Sequence, residues 1–98
     1  MITRIVKLTF RTEDVQHFVQ IFTESATLIQ SFDGCAGVQL MKDASNQNVY
    51  FTLSKWQSED HLNTYRSSEL FKTTWAQVKP MFSEKPEAWS LAETIPIL

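Results

Sequence analysis

The sequence contains little cysteine, little glycine and no excess of positive charge. Its one cysteine, Cys35, cannot form an internal disulfide and cannot by itself supply a metal site that needs several thiolates. With only two glycines, the chain lacks the glycine-rich loop that cradles phosphate groups. Nine Lys and Arg stand against eleven Asp and Glu, for a net charge of −2, and the basic residues are scattered singly. This pattern argues against nucleic acid as a partner.

Long apolar runs are also absent. Arg4 and Lys7 interrupt the apolar positions of the first ten residues, and apolar stretches elsewhere extend over only a few residues. A membrane span needs about 20 consecutive apolar residues and a signal peptide needs a run of about 7–15, so neither is predicted. We therefore expect a cytoplasmic protein with no membrane partner.

The chain does contain enough apolar material for one folded domain over residues 1–98. Of its 98 residues, 43% are apolar and 12% are aromatic, a composition that excludes disorder. A domain of this length buries only roughly 60–65% of the surface of its unfolded chain, although many large apolar side chains need cover. Oligomerisation is one way to cover these apolar side chains.

Two hydrophobic periods organise the first part of the chain. Residues 2–10 alternate with a period of two, which predicts a strand. From Thr12 the apolar residues recur at steps of three and four, which predicts a helix with Thr12 as its N-cap that runs to about Phe32. Gly34 and Gly37 then provide the backbone freedom of a helix end or a tight turn.

A hairpin follows, with strands predicted over 37–42 and 49–56 and the polar turn 43–48 between them. Successive side chains of a strand point to opposite faces of the sheet. The apolar face of the second of these strands carries Val49, Phe51 and Leu53, and the mixed polar and aromatic face carries Tyr50, Thr52, Ser54 and Trp56.

The remaining chain predicts a broken helix and a last strand. Ser58 is positioned to cap a helix, and the pair Ser67-Ser68 predicts a break and a restart. The helical region is predicted to end near Ser83, and residues 87–95 return to strand character. The predicted order is β-α-β-β-α-β, a ferredoxin-like α+β fold with two helices packed on one face of a four-stranded antiparallel sheet. Since helices cover one face only, we expect a second copy to cover the other, sheet against sheet, in a two-fold homodimer.

Three segments carry a family resemblance that covers nearly the whole chain. Residues 32–37, FDGCAG, resemble the helix-to-strand junction of the antibiotic biosynthesis monooxygenase family. Residues 55–62, KWQSEDHL, resemble that family's tryptophan at the end of the third strand, followed by an acidic helix cap. Residues 65–71, YRSSELF, resemble the helix break that follows. The resemblance implies the dimeric α+β barrel of that family.

The resemblance also implies a chemistry. Enzymes of the family oxidise phenols, anthrones or quinols with dioxygen, without a metal or flavin cofactor, in a pocket between helices and sheet. Such a pocket needs apolar and aromatic walls and a few hydrogen-bonding groups. The candidates are Tyr50, Thr52, Ser54 and Trp56 on the mixed strand face and Tyr65, Phe71 and Trp75 on the helices. Tyr65 and Trp56 are the candidate catalytic residues, and the other five are candidates for binding a small aromatic substrate.

Each candidate also has a plainer interpretation. Trp56 at a strand end and Trp75 in a helical stripe are both compatible with ordinary core positions. Tyr65 can orient a substrate, but an unperturbed phenol with a pKa of about 10 is a poor base at neutral pH. Arg4 and Arg66 offer charge for an anionic substrate, although a lone arginine is usually solvated.

The departures from the family pattern favour an alternative function. Thr52 stands where many members have asparagine, and Tyr65 and Leu70 stand where the quinol-oxidising members have two histidines. The chain's own imidazoles, His17 and His61, are predicted on the solvent sides of their helices. A haem-degrading branch of the same fold requires an asparagine, a tryptophan and a histidine. This chain has Val6, Tyr65 and Trp75 at the corresponding positions, so the resemblance offers no axial ligand for haem. A non-catalytic binding or sensing protein of the same fold, or a purely structural dimer, is therefore kept as an alternative.

Overall fold

The computed structural model describes residues 1–95 and contains four strands and three α-helices in these residues. The elements are β1 Ile2–Thr9, α1 Val15–Gln30, β2 Cys35–Lys42, β3 Val49–Trp56, α2 Glu59–Arg66, α3 Glu69–Val78 and β4 Glu87–Ala92. Short 3-10 turns at Thr12–Asp14 and Lys79–Met81 flank the helices. None of the helices in this part of the chain combines the length and the apolar character needed to cross a bilayer.

The four strands form one antiparallel sheet in the order β2-β3-β1-β4. The sequence-adjacent strands β2 and β3 form a hairpin, while β1 lies between β3 and β4. This is the ferredoxin-like arrangement, so the predicted fold class is confirmed. The predicted domain also includes residues 96–98, which lie outside the described residues.

Three predicted element boundaries differ from the structure. The predicted N-cap, Thr12, instead begins a 3-10 turn, and its hydroxyl accepts a hydrogen bond from Asn48 Nδ2 at 3.0 Å. This long-range partner competes with capping, and α1 begins three residues later without a side-chain cap. The second strand begins two residues earlier than predicted, at Cys35, because an irregularity before Gly37 lets pairing continue. The last strand ends at Ala92 rather than at residue 95.

The helices cover one face of the sheet, and the buried side chains gather at two ends of this interface. One cluster surrounds Phe10, which is fully buried and stacks on Phe18 with ring centroids 4.2 Å apart. The other joins Ile29, Trp56 and Leu62. The candidate site lies between these two clusters.

The opposite face of the sheet has no cover within residues 1–95. A row of side chains crosses it in register from Leu53 on β3 through Ile5 on β1 to Trp89 on β4. Trp89 is 44% exposed and its neighbour on the same face, Leu91, is 50% exposed. This apolar face is the one that the sequence pattern assigns to Phe51 and Leu53.

Candidate functional site

A cavity lies between the helices and the middle of the sheet. Its sheet side is formed by Val6, Leu8, Val38, Thr52 and Ser54, and its helix side by Phe18, Phe22, Ile29, Tyr65, Phe71, Thr74, Trp75 and Val78. All three helices and the three strands other than β4 therefore contribute to it. The lining is mainly aliphatic and aromatic, with four hydroxyl groups.

The volume of the cavity limits the ligand. Its volume is about 110 Å³, and it opens to solvent through a mouth. For comparison, an apolar protein cavity of roughly 150 Å³ accommodates benzene. The cavity is therefore close in size to one small ring, and a fused polycyclic ligand would have to extend through the mouth.

Tyr65 is the most closely packed polar group of the lining. Its ring stacks on Trp56 at 4.8 Å and 23°, and it meets Phe32 and Phe71 edge-on at 5.4 and 5.3 Å. Burial, and secondarily the nearby Cys35, raises the pKa of Tyr65 to about 12. At neutral pH the hydroxyl is therefore protonated, and it is a hydrogen-bond donor rather than a base.

The hydroxyl of Tyr65 is also free to bind a ligand. No group within residues 1–95 donates a hydrogen bond to it or accepts one from it. The same is true of the side-chain hydroxyls of Thr52 and Thr74 in this part of the chain. The cavity thus offers three hydroxyls whose hydrogen-bonding capacity is unused.

Trp56 lies behind the cavity lining and supports it. Its side chain is fully buried, and its indole Nε1 donates a hydrogen bond to Ser54 Oγ at 2.9 Å. Because the Ser54 oxygen accepts this bond, its own proton remains available to a ligand. Trp56 therefore positions two lining residues, Ser54 through the hydrogen bond and Tyr65 through stacking, and does not itself border the cavity.

A single serine fixes the two helix ends that carry Tyr65 and Phe71. Ser68 Oγ donates to the carbonyl oxygen of Tyr65 at 2.6 Å and accepts from the backbone N–H of Phe71 at 3.1 Å. It is the N-cap of α3, as Ser58 is of α2, which confirms the predicted break and restart at the serine pair. The local sequence thus sets the spacing between two aromatic walls of the site.

Five of the seven candidate residues line the cavity together, and two do not. The lining residues are Thr52, Ser54, Tyr65, Phe71 and Trp75. Tyr50 shares the sheet face of Ser54 but lies in the neighbouring core, with its ring 5.7 Å from Phe18 and 6.1 Å from Phe10. Trp56 is the second residue outside the lining, as described above.

The sequence reasoning missed one hydroxyl and the contribution of the first helix. Thr74 lies three residues after Phe71 and so falls on the same side of α3, a spacing that could have identified it. Phe18, Phe22 and Ile29 of α1 follow the helical period already visible in the sequence. The helical period predicts that these side chains are buried, but it does not show whether they fill the core or line a cavity.

The ionisable groups of ordinary acid-base catalysis are not among the lining residues. His17 is exposed, and His61 Nδ1 lies 2.6 Å from Ser58 Oγ at the start of α2. No carboxylate, imidazole or amine borders the cavity within residues 1–95. The described part of the chain also contains no group of three or more His, Cys, Asp or Glu side chains placed to hold a metal ion.

The chain was compared with protein-family models, with curated protein sequences and with solved structures. The family model described as Antibiotic biosynthesis monooxygenase matches residues 1–77. Comparison with curated protein sequences finds no match. Among solved structures, a conserved protein from Methanosarcina mazei Go1 is 19% identical, with a TM-score of 0.89 over 96% of this chain and 94% of its own.

Two further solved structures have the same fold. The Rv0793 protein of Mycobacterium tuberculosis is 18% identical, with a TM-score of 0.89 over 97% of this chain and 96% of its own. A structure described as antibiotic biosynthesis monooxygenase is 12% identical, with a TM-score of 0.89 over 98% of this chain and 100% of its own. At these identities the likeness concerns the fold, since one fold supports many functions.

Proposed function

This chain belongs to the antibiotic biosynthesis monooxygenase family, and we propose that it oxidises a single-ring phenol or quinol with dioxygen, without a metal or flavin. The observation that carries the proposal is the cavity between helices and sheet. It has aromatic walls for one ring and unused hydroxyls to orient the ring oxygen. Its volume of about 110 Å³ favours a single ring over an anthrone.

The proposed reaction takes its electrons from the substrate. The ionised phenol transfers electron density to dioxygen, and a ring carbon that carries hydrogen forms a C–O bond to give a hydroperoxide. Loss of water from the hydroperoxide leaves a carbonyl at that carbon. One substrate and one dioxygen then give one quinone and one water; each product receives one atom of the dioxygen, and no external reductant is needed.

The lining residues have distinct roles in this proposal. The Tyr65 hydroxyl donates a hydrogen bond to the ionised substrate oxygen, which stabilises the anion from which electrons leave. Ser54 and Thr52 orient the ring from the sheet side, and Phe71 and Trp75 hold its faces and edges from the helix side. Trp56 positions Ser54 and Tyr65 rather than touching substrate.

A second candidate function is binding without turnover, and one observation favours it. The cavity has no carboxylate, imidazole or amine among the lining residues within 1–95 to accept the substrate proton. Tyr65, with a pKa of about 12, is protonated and cannot accept it at neutral pH. A ligand that stays protonated in this cavity would be bound and not oxidised.

The two functions are separated by measuring oxygen uptake and ligand binding on the same samples. Purified protein is mixed with single-ring phenols and quinols, and uptake is corrected for protein-free oxidation. Tryptophan fluorescence reports binding. Tyr65→Phe is the test variant, and Tyr50→Phe is the matched control because Tyr50 lies outside the lining.

If the chain is an oxygenase, oxygen uptake should depend on the protein. The rate should fall about tenfold or more in Tyr65→Phe, because a hydrogen-bond donor to a developing anion is lost. The rate should be maintained in Tyr50→Phe. Binding without uptake by any compound would contradict the oxygenase and support the binding protein. Neither binding nor uptake would contradict both functions.

We also propose that the uncovered sheet face forms a two-fold homodimer. Large apolar side chains cross this face, among them Leu53, Ile5 and Trp89, and their exposure is costly for a monomer. Leu53→Glu places a charge in the middle of the face and should yield a monomer by light scattering. Leu28→Glu, at an exposed leucine on α1, is the control, and a wild-type monomer would contradict the proposal.

A further inference from the structure

Arg4 lies on the cavity side of the sheet, between the cavity and the outer strand β4. It pairs in register with Ser54 on β3 and with Ser90 on β4, and its neighbour on the same face, Val6, lines the cavity. The guanidinium Nη1 donates to Ser90 Oγ at 2.9 Å. Arg4 thus extends the row of polar groups that begins at Ser54 inside the cavity.

The space above Arg4 on the β4 side is open. The residues of β4 that share its face are small, Ala88, Ser90 and Ala92, and all three are exposed. The helices that cover β1 and β3 do not reach them. A substituent of a ligand bound in the cavity therefore has room to lie beside the guanidinium.

Arg66 supplies a second guanidinium on the helix that carries Tyr65. Arg66 follows the cavity residue Tyr65 at the end of α2, and after burial its charge is the second cause that lowers the pKa of Arg4. Within residues 1–95, neither arginine has a carboxylate partner within 4.0 Å. The Arg4 guanidinium, which bonds Ser90 and lies next to the open side of β4, is thus without a neutralising carboxylate in this part of the chain, and an anion beside it would be attracted.

We propose that Arg4 and Arg66 bind a carboxylate carried by the aromatic ligand, so that the ligand is a ring with both a hydroxyl and an acid group. The inference rests on the proposed function, because it places the ring of that same ligand in the cavity. A guanidinium presents paired donors to a carboxylate, which favours the acid over a neutral ester of the same size. Arg4 and Arg66 are in this view specificity residues.

The test compares each of the three hydroxybenzoate isomers with its methyl ester, by calorimetry on the full chain at pH 7. For at least one isomer the wild type should bind the acid about tenfold more tightly than the ester, as expected for a charge-assisted hydrogen bond. Arg4→Gln and Arg66→Gln should each reduce this preference and leave the ester affinity unchanged. Arg4→Lys keeps the charge and should retain part of the preference.

Arg11→Gln is the matched control, because Arg11 is bound to Asp14 at 2.8 Å and does not line the cavity. Equal binding of acid and ester by wild type, or a preference that survives in the Arg4→Gln, Arg66→Gln double variant, would overturn the inference. Oxygen uptake is followed in the same samples. Preference for the acid without uptake supports the anion site and contradicts the oxygenase, whereas uptake with equal acid and ester binding does the reverse.

Discussion

The protonated state of Tyr65 makes a quantitative prediction about stability at high pH. Its pKa is about 12 in the folded chain, against 10.0 for the free side chain. Each pKa unit corresponds to about 1.4 kcal/mol, so the neutral phenol favours the folded state by about 3 kcal/mol over the ionised one. This contribution is fully present below pH 10 and is lost as the pH rises towards 12.

Urea unfolding of wild type and Tyr65→Phe at intervals between pH 8 and pH 12 measures this contribution. The difference between the two free energies of unfolding removes the effect of the other groups that ionise in this range. We expect a constant difference up to about pH 10, followed by a fall in wild-type stability relative to Tyr65→Phe that reaches about 2 kcal/mol at pH 12, where half of the Tyr65 side chains in the folded chain are ionised.

Two results would refute this reasoning. Parallel stability profiles for wild type and Tyr65→Phe over the whole range would mean that Tyr65 ionises alike in the folded and unfolded chains. A phenolate absorbance at 295 nm that appears near pH 10 in folded wild type and is lost in Tyr65→Phe would show the same thing directly. Either result would mean that burial does not raise the pKa of Tyr65, although a phenol with a pKa of about 10 would still be a poor base at neutral pH.

The remaining predictions concern positions that hold the site in place, and each is measured by urea unfolding. Ser68→Ala should lower the free energy of unfolding by about 1 kcal/mol through loss of the helix cap, while the exposed neighbour Ser67→Ala should change it by less than about 0.5 kcal/mol. Gly34→Ala should cost about 2 kcal/mol, because φ is +84° and the new Cβ would clash with the ring and the Cβ of His61; adding His61→Ala removes the ring but keeps that Cβ, so it should recover only part of the loss. Ser54→Ala should cost about 1–3 kcal/mol, because it leaves a fully buried indole N–H without its acceptor. Equal effects of the two serine variants at the helix break, full recovery in the double variant, or a neutral Ser54→Ala would contradict the respective prediction.

The parts of the fold that sequence predicts well are those determined by neighbouring residues. The strand Val49–Trp56 has its predicted bounds, because β-prone residues follow a polar turn. Ser58 caps α2 as predicted, and Ser68 caps α3 at the predicted break and restart, because a cap joins atoms only three residues apart. The start of α1 was predicted wrongly, because the Thr12 hydroxyl is engaged by a side chain 36 residues away.

The site is predictable to the level of a sheet face and no further. A period of two places Tyr50, Thr52, Ser54 and Trp56 on the helix-covered side, and the structure agrees. Which of the four border a cavity depends on what fills the space above them. Aromatic rings from distant parts of the chain fill it above Tyr50, and the Tyr65 ring covers Trp56, so only the two middle residues remain open. That outcome follows from packing between elements, which a strand pattern does not contain.

The chemistry of the site follows from the same packing. The rings that surround Tyr65 exclude water and keep its hydroxyl protonated, so the cavity provides donors and no acceptor strong enough to remove a proton. Donors stabilise an anion once it exists, and Arg4, which pairs in register with Ser54, adds a positive charge at the edge of the same space. A site of this kind selects for ligands that ionise readily in water before they enter. The acidity of the ligand, rather than a titrating residue of the cavity, would then decide between oxidation and simple binding.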